Sequence, residues 1–158
     1  MLKDVLGMLG KLLVWWVVAL LFFGLLIMQC SKEAEASVTI TDVIYAIEKV
    51  ESNLNPYAIN EQENALGCLQ IRPIMIADYN RITKKDLLHD VAYNRAMAYI
   101  IASTIFNHYI KGIENPTAKH LAFIWNGGGS AWKRVDNPKK DRKQKMLDSY
   151  WAKVKLHL

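Results

Sequence analysis

The segments Val50-Glu51-Ser52-Asn53-Leu54-Asn55-Pro56-Tyr57-Ala58 and Ala65-Leu66-Gly67-Cys68-Leu69-Gln70-Ile71-Arg72-Pro73 place a carboxyl group at the end of an apolar helical stripe. Upstream, Val43, Ile44, Ile47 and Val50 recur at three- and four-residue steps, the spacing of one buried helix face, with Thr41 positioned to cap the helix. Glu51 continues that stripe. A carboxyl group on a buried edge loses solvation, and the negative end of the helix dipole also opposes its ionisation, so its pKa is expected above the ordinary value of about 4.3. Asn55-Pro56 is expected to stop the helix, because the residue before a proline avoids helical geometry, and this leaves Glu51 in the last turn facing a cleft. Glu48, beside Lys49 and shifted towards the solvent side, reads as a surface charge.

These residues resemble the soluble lytic transglycosylase family, whose pattern runs Glu-Ser, Asn-Pro-x-Ala, then Gly-x-x-Gln-Ile-x-Pro. A third block, Leu121-Ala122-Phe123-Ile124-Trp125-Asn126-Gly127-Gly128, resembles the family's Ala-Tyr-Asn-Ala-Gly segment, and the helix holding Asn94 takes the place of the long helix between the second and third blocks. The blocks keep the family's order from about Thr39 to Tyr150. Three departures stand out. Asn60 occupies a position where the family more often has serine, and it keeps a hydrogen-bonding group there. Trp125 replaces a tyrosine, which preserves a flat face but removes a phenolic hydroxyl, so any tuning of the acid by that group is lost. Cys68 and Leu69 replace leucine and methionine, a change among apolar groups.

The resemblance implies a mainly α fold of the α+β lysozyme-like kind, a compact helical domain with a catalytic cleft. It also implies an enzyme that cleaves peptidoglycan between N-acetylmuramic acid and N-acetylglucosamine without water, leaving a 1,6-anhydromuramyl end. Glu51 would be general acid and then general base. Ser52 would hold Glu51 or the substrate, Asn60, Gln70 and Asn126 would bind polar substrate groups, and Trp125 would supply a stacking wall, joined by Tyr79. No cofactor is implied. A hydrolytic lysozyme would need a second carboxylate or a positioned water opposite Glu51, and the available carboxylates are Glu61 and Glu63, both in the polar loop Asn60–Asn64. A binding protein that grips glycan without cutting it is the reading from another class, and the presence of Glu51 argues against it.

At 158 residues, with 52% hydrophobic content, the chain is long enough for one compact domain and an appendage. The appendage is N-terminal. Residues Leu12 to Met28 are uninterrupted apolar, and about seventeen helical residues at ~1.5 Å each cover most of a ~30 Å hydrocarbon core. Residues 1–29 therefore read as a signal anchor or transmembrane segment, 30–37 as a polar tether and 38–158 as the catalytic domain. Ala34-Glu35-Ala36 before Ser37 offers a cleavable-signal alternative, although it lies far beyond the apolar end. A lipid anchor at Cys30 conflicts with Gln29 in front of it. Lys3 and Lys11 precede the span with only Asp4 opposing them, which keeps the N-terminus cytoplasmic and exports the domain.

Cys30 at the membrane edge and Cys68 inside an apolar block are not expected to pair. His89, His108, His120 and His157 are scattered singly, without metal-ligand spacing, and read as surface or interhelical groups. An irregular segment is expected through Gln70, a short helix after Pro73 with Ile74, Ile76 and Tyr79, and a longer central helix from near Asp90 with Val91, Ala92, Ala96, Tyr99, Ile100, Ser103 and Phe106 on its apolar face. Another helix is expected from Pro116-Thr117 to Gly127, where the glycines stop it. From Lys133 to Leu158, nine Lys or Arg stand against three Asp, which accounts for the chain's net charge of +5. Leu147, Tyr150, Trp151 and Val154 form a stripe that packs this tail onto the core. For an exported domain the basic face suits anionic lipid heads or wall carboxylates rather than nucleic acid. By analogy with other short proteins of this kind, a secretion, conjugation or phage apparatus is the expected setting.

Overall fold

A computed structural model describes residues 38–158, a single compact unit. The apolar run 12–28, the tether 30–37 and Cys30 lie outside the described residues. Among the described residues, no helix is long and apolar enough to cross a membrane.

Helix α1 spans Ile40–Ser52, and its N-cap is Thr39 rather than Thr41. Three residues after Thr39 comes Asp42, whose carboxylate accepts from the Thr39 N–H at 2.8 Å while the Asp42 N–H donates to Thr39 Oγ1 at 3.2 Å. Thr41 has Ile44 at that offset and no reciprocal partner, so the capping box decides the start. The helix stops at Asn53, which takes a left-handed conformation (φ 52°), before the Asn55-Pro56 pair expected to end it. Leu54 follows with φ 69°, and the Asn55 side chain then accepts from the Tyr57 N–H at 3.0 Å to close a turn.

The largest correction on this helix is Glu48, which is fully buried at 0% exposure. Four residues after Ile44, it shares that residue's inward face. Its Oε2 accepts from Arg95 Nη2 at 2.8 Å and from the Tyr99 hydroxyl at 2.5 Å. The Cys68 thiol lies close enough for burial and the Glu48 carboxylate together to push it up to about 11.

The segment expected to be irregular contains a small antiparallel hairpin, β1 (Ile59–Asn60) and β2 (Ala65–Leu66), with Ile59 opposite Leu66. Asn60 Oδ1 organises the intervening loop by accepting from the Gln62 and Glu63 N–H groups at 3.1 and 3.3 Å. Leu66 and Ile71 exchange backbone hydrogen bonds around the turn Gly67–Gln70. Gly67 has φ +75°, and a Cβ there would lie 2.0 Å from the Ala92 carbonyl oxygen, so only glycine fits.

Helix α2 (Pro73–Thr83) begins with proline in its first turn, as the sequence predicts. A 3₁₀ turn, His89–Tyr93, then leads to α3 (Arg95–Tyr109), which starts later than expected because Asn94 caps it through the Met97 N–H at 3.1 Å. Its buried face is Ala98, Ile101, Ala102, Ile105 and Phe106, so Ala96 and Ile100 of the expected stripe are exposed. After a second 3₁₀ turn, Ile110–Gly112, helix α4 (Ala118–Gly127) follows Thr117 as expected. Six successive residues of α4, His120 to Trp125, are buried, and α4 packs against α1, α3 and α6. The central helix is therefore α4 rather than α3. His120 ties it to the short α5 (Lys133–Asp136) through Asp136 at 3.2 Å. Helix α6 (Arg142–Lys155), capped by Asp141, buries Leu147, Tyr150 and Val154 and half-buries Trp151, the predicted stripe.

Breaking the Glu48 pair from one side leaves a buried charge behind. Arg95→Met should lower the unfolding free energy by about 2–4 kcal/mol, under the ~3–5 typical of fully buried pairs, because the Arg95 side chain is half exposed. The double variant Glu48→Leu/Arg95→Met should recover much of that loss in urea unfolding.

Candidate active site

Glu51, at the C-terminal turn of α1, opens into a cavity of about 280 Å³ walled by the hairpin loop, the Gly67–Arg72 turn, the end of α4 and one face of α6. Of the residues predicted for the site, Asn60, Gln70, Trp125 and Asn126 line this cavity together with Glu51. Ser52 and Tyr79 do not. The Ser52 hydroxyl donates back to the Glu48 carbonyl at 3.4 Å, a helical contact that leaves Glu51 untouched. Tyr79 is 1% exposed on the core-facing side of α2, so its ring has no free face for a sugar.

Trp125 also differs from expectation. It is 2% exposed and packs edge-on against Phe106 at 5.7 Å between ring centres, so it closes the cavity floor rather than offering an open stacking face. The Gln70 side chain donates to the carbonyls of Ala58 (3.2 Å) and Gly67 (3.0 Å), fixing the turn it belongs to. Asn126 is different. Its Oδ1 is buried and has no hydrogen-bond partner among the described residues, an acceptor at the cavity wall able to take a donor.

The decisive contact was not legible as a site from the sequence. The Tyr150 hydroxyl donates to Glu51 Oε1 at 2.7 Å, joining α6 to α1 across 99 residues. The phenol lost where Trp125 replaces tyrosine is thus supplied from the last helix, which corrects the expectation that the acid goes without one. Tyr150 belongs to the stripe predicted to pack α6 onto the core, and it does pack there. Only the need of a buried hydroxyl for a partner hinted at more.

Burial dominates the ionisation of Glu51 and raises its pKa. The Tyr150 hydrogen bond and the charges of Arg72 and Lys153 pull it back down, while Glu63 adds to the rise. Arg72 stands between Glu63, 3.7 Å from its Nη1, and the Trp125 carbonyl, 3.4 Å from its Nη2. Glu63 reaches the cavity, but its side chain is 59% exposed and faces this cation. Glu61 is exposed and does not line the cavity.

A larger, more apolar cavity of about 360 Å³ adjoins the first through Arg72 and Trp125. Its carboxylate, Asp78, is committed to Arg81 and to the Tyr109 hydroxyl at 2.7 Å. Gly129 admits the Tyr109 ring, since a Cβ there would lie 2.1 Å from it. Glu51 is in the smaller, polar cavity. Among the described residues, no cluster of three His, Cys, Asp or Glu side chains is placed to hold a metal.

The cavity thus brings together Glu51, Gln70 and Asn126, one residue from each of the three sequence blocks, and adds the phenol of Tyr150 from outside them. Residues 29–147 match the family model described as the transglycosylase SLT domain. The chain belongs to this family. Among curated relatives, the membrane-bound lytic murein transglycosylase C of Haemophilus ducreyi is 31% identical over 105 residues, covering 60% of this chain and 28% of that protein. The protein of the same name from Pectobacterium atrosepticum is 34% identical over 110 residues, covering 63% of this chain and 30% of its own length. The chain therefore spans less than a third of either relative.

Two outcomes follow for the SLT domain. The raised folded-state pKa of Glu51 means that ionisation favours the unfolded chain, so the acid's stabilising protonated form is lost as pH rises through that pKa. Glu51→Gln should raise Tm at neutral pH, and the gain should vanish below about pH 4, where the unfolded carboxyl is also protonated.

Proposed function

We propose that the chain is a lytic transglycosylase acting on the glycan strands of peptidoglycan. The observation that carries this reading is the Tyr150 to Glu51 contact inside the polar cavity. It is supported by membership of the transglycosylase SLT domain family and by the names of the relatives.

The carboxyl of Glu51, whose hold on its proton burial strengthens, donates that proton to the glycosidic oxygen as the bond from the muramyl C1 to that oxygen breaks. The ring becomes oxocarbenium-like. The same sugar's C6 oxygen then bonds to C1, and its hydroxyl proton passes to the Glu51 carboxylate. The acid is restored, the product carries a 1,6-anhydro bridge, and no water is consumed. One carboxyl suffices because the nucleophile belongs to the substrate, unlike the usual pair of carboxylates in glycoside hydrolysis.

Tyr150 has a specific part in this cycle. Its hydroxyl stabilises the carboxylate half-way through the reaction and fixes the orientation of the reactive oxygen pair. Asn126 Oδ1 accepts from an N–H of the substrate, for which the acetamido group is the available donor. Gln70 acts by holding the turn that forms the cavity wall. The apolar run 12–28 and the relatives' description as membrane-bound support a membrane-tethered enzyme, and Lys3 and Lys11 support a domain on the extracytoplasmic side.

Mass spectrometry of muropeptides released from sacculi tests the reaction. The full-length protein should yield 1,6-anhydromuramyl ends, and Glu51→Gln should reduce them by at least about 100-fold, the scale of a lost general acid. Reducing muramyl ends in their place would make the protein a hydrolase. Because Tyr150 favours the ionised form of the acid, Tyr150→Phe should shift the alkaline limb of kcat/KM to higher pH, as a full pH–rate profile would register.

A further inference from the structure

Helix α6 does more than close the core, because three of its residues, Met146, Tyr150 and Lys153, line the cavity that holds Glu51. Their spacing of four and then three residues puts them on one face. Tyr150 is at the acid, and Lys153 comes one helical turn later, a rise of about 4.5 Å. Seven other Lys or Arg of the 133–158 stretch lie outside the cavity lining along with Lys155, so Lys153 is set apart by position rather than by composition.

The cations of this cavity differ in how they are engaged. Arg72 faces Glu63 and donates to the Trp125 carbonyl. Lys153 forms no ion pair and donates no hydrogen bond among the described residues, yet its charge is felt at Glu51. The opposite deficiency is found at Asn126, whose Oδ1 is buried without a donor. A buried acceptor and an exposed cation, neither with a partner among the described residues, line one cavity of about 280 Å³ and suit a ligand that carries both an N–H and a carboxylate. N-acetylmuramic acid has both on neighbouring carbons, an acetamido group on C2 and a lactyl ether on C3. In strands without peptide the lactyl carboxyl is ionised. In strands bearing a stem it is an amide, and the nearest free carboxylates lie further along the peptide.

We propose that Lys153 recognises a carboxylate carried by the C3 substituent of the muramyl residue, and so sets which peptidoglycan strands the cleft prefers. The proposal rests on the transglycosylase reading for the choice of sugar, but recognition of the carboxylate can be measured without turnover.

The test uses full-length Glu51→Gln and Glu51→Gln/Lys153→Met, titrated calorimetrically with three oligosaccharides of equal length. One is stem-free, one is stem-free with its lactyl carboxyls capped as methylamides, and one bears peptide stems. Removing Lys153 should weaken binding of a carboxylate-bearing ligand by about fivefold, as expected of one partly exposed charged contact, and of the capped ligand by less than about twofold. Loss on the stem-free ligand assigns the lactyl carboxylate, and loss confined to the stem-bearing ligand assigns a stem carboxylate. Lys153→Arg should retain affinity. Equal loss on all three ligands, or no loss on any, would overturn the proposal. Selective binding without anhydromuramyl products from the wild-type protein would keep the carboxylate site and remove the transglycosylase reading.

Discussion

The hydrogen bond from Tyr150 to Glu51 brings the last helix of the domain to the last turn of the first, and the cavity exists only where they meet. It imposes two requirements at once. Burial must strengthen the carboxyl's hold on its proton, and the carboxylate must have a donor when that proton leaves. A phenol at 2.7 Å meets the second requirement without abolishing the first. The other walls serve this junction: α4 carries Trp125 as a closed floor, and the Gly67–Gln70 turn is held in place by Gln70's own side chain.

Two glutamates three residues apart on α1 show how the same group acquires different duties from its surroundings. Glu48 is completely buried, and Arg95 and Tyr99 both converge on its Oε2. That carboxylate braces α1 against α3. Glu51 meets a phenol and an open cavity, with Arg72 and Lys153 acting from further off, so it is the one of the two that a molecule in the cavity could reach. Replacing a buried ion pair by apolar groups is often neutral for stability, so the brace is best understood as fixing helix placement rather than as a large stabilising contribution.

Much of this was legible in local sequence. The stripe Val43, Ile44, Ile47 gave α1's core face, Pro73 opened α2, Thr117 and the glycines bounded α4, and the stripe of α6 packed as its spacing required. The larger errors share a physical origin, in that each depended on a partner distant in sequence. Glu48 looked solvent-facing beside Lys49, and Arg95 and Tyr99, 47 and 51 residues away, make its burial tolerable. Tyr79 and Trp125 looked like sugar-stacking rings, but flat faces are equally suited to a core, and the packing of α2, α3 and α4 took them. Tyr150 read as packing because nothing local distinguishes a phenol that meets solvent from one that meets an acid 99 residues away. Thr39 and Asn94 are a different case, since both caps are local and their partners stand three residues on.

Burial at this junction raises the pKa of Glu51 above the ordinary carboxyl range. Carbon-13 NMR titration of the side-chain carboxyls in the full-length protein, with the Glu51 signal assigned by its absence in Glu51→Gln, measures this directly. The account predicts that the Glu51 carboxyl titrates clearly above the ~4.3 of an unperturbed glutamate. A Glu51 carboxyl that titrates at or below that value would contradict it, because burial would then fail to outweigh the Tyr150 hydrogen bond and the charges of Arg72 and Lys153.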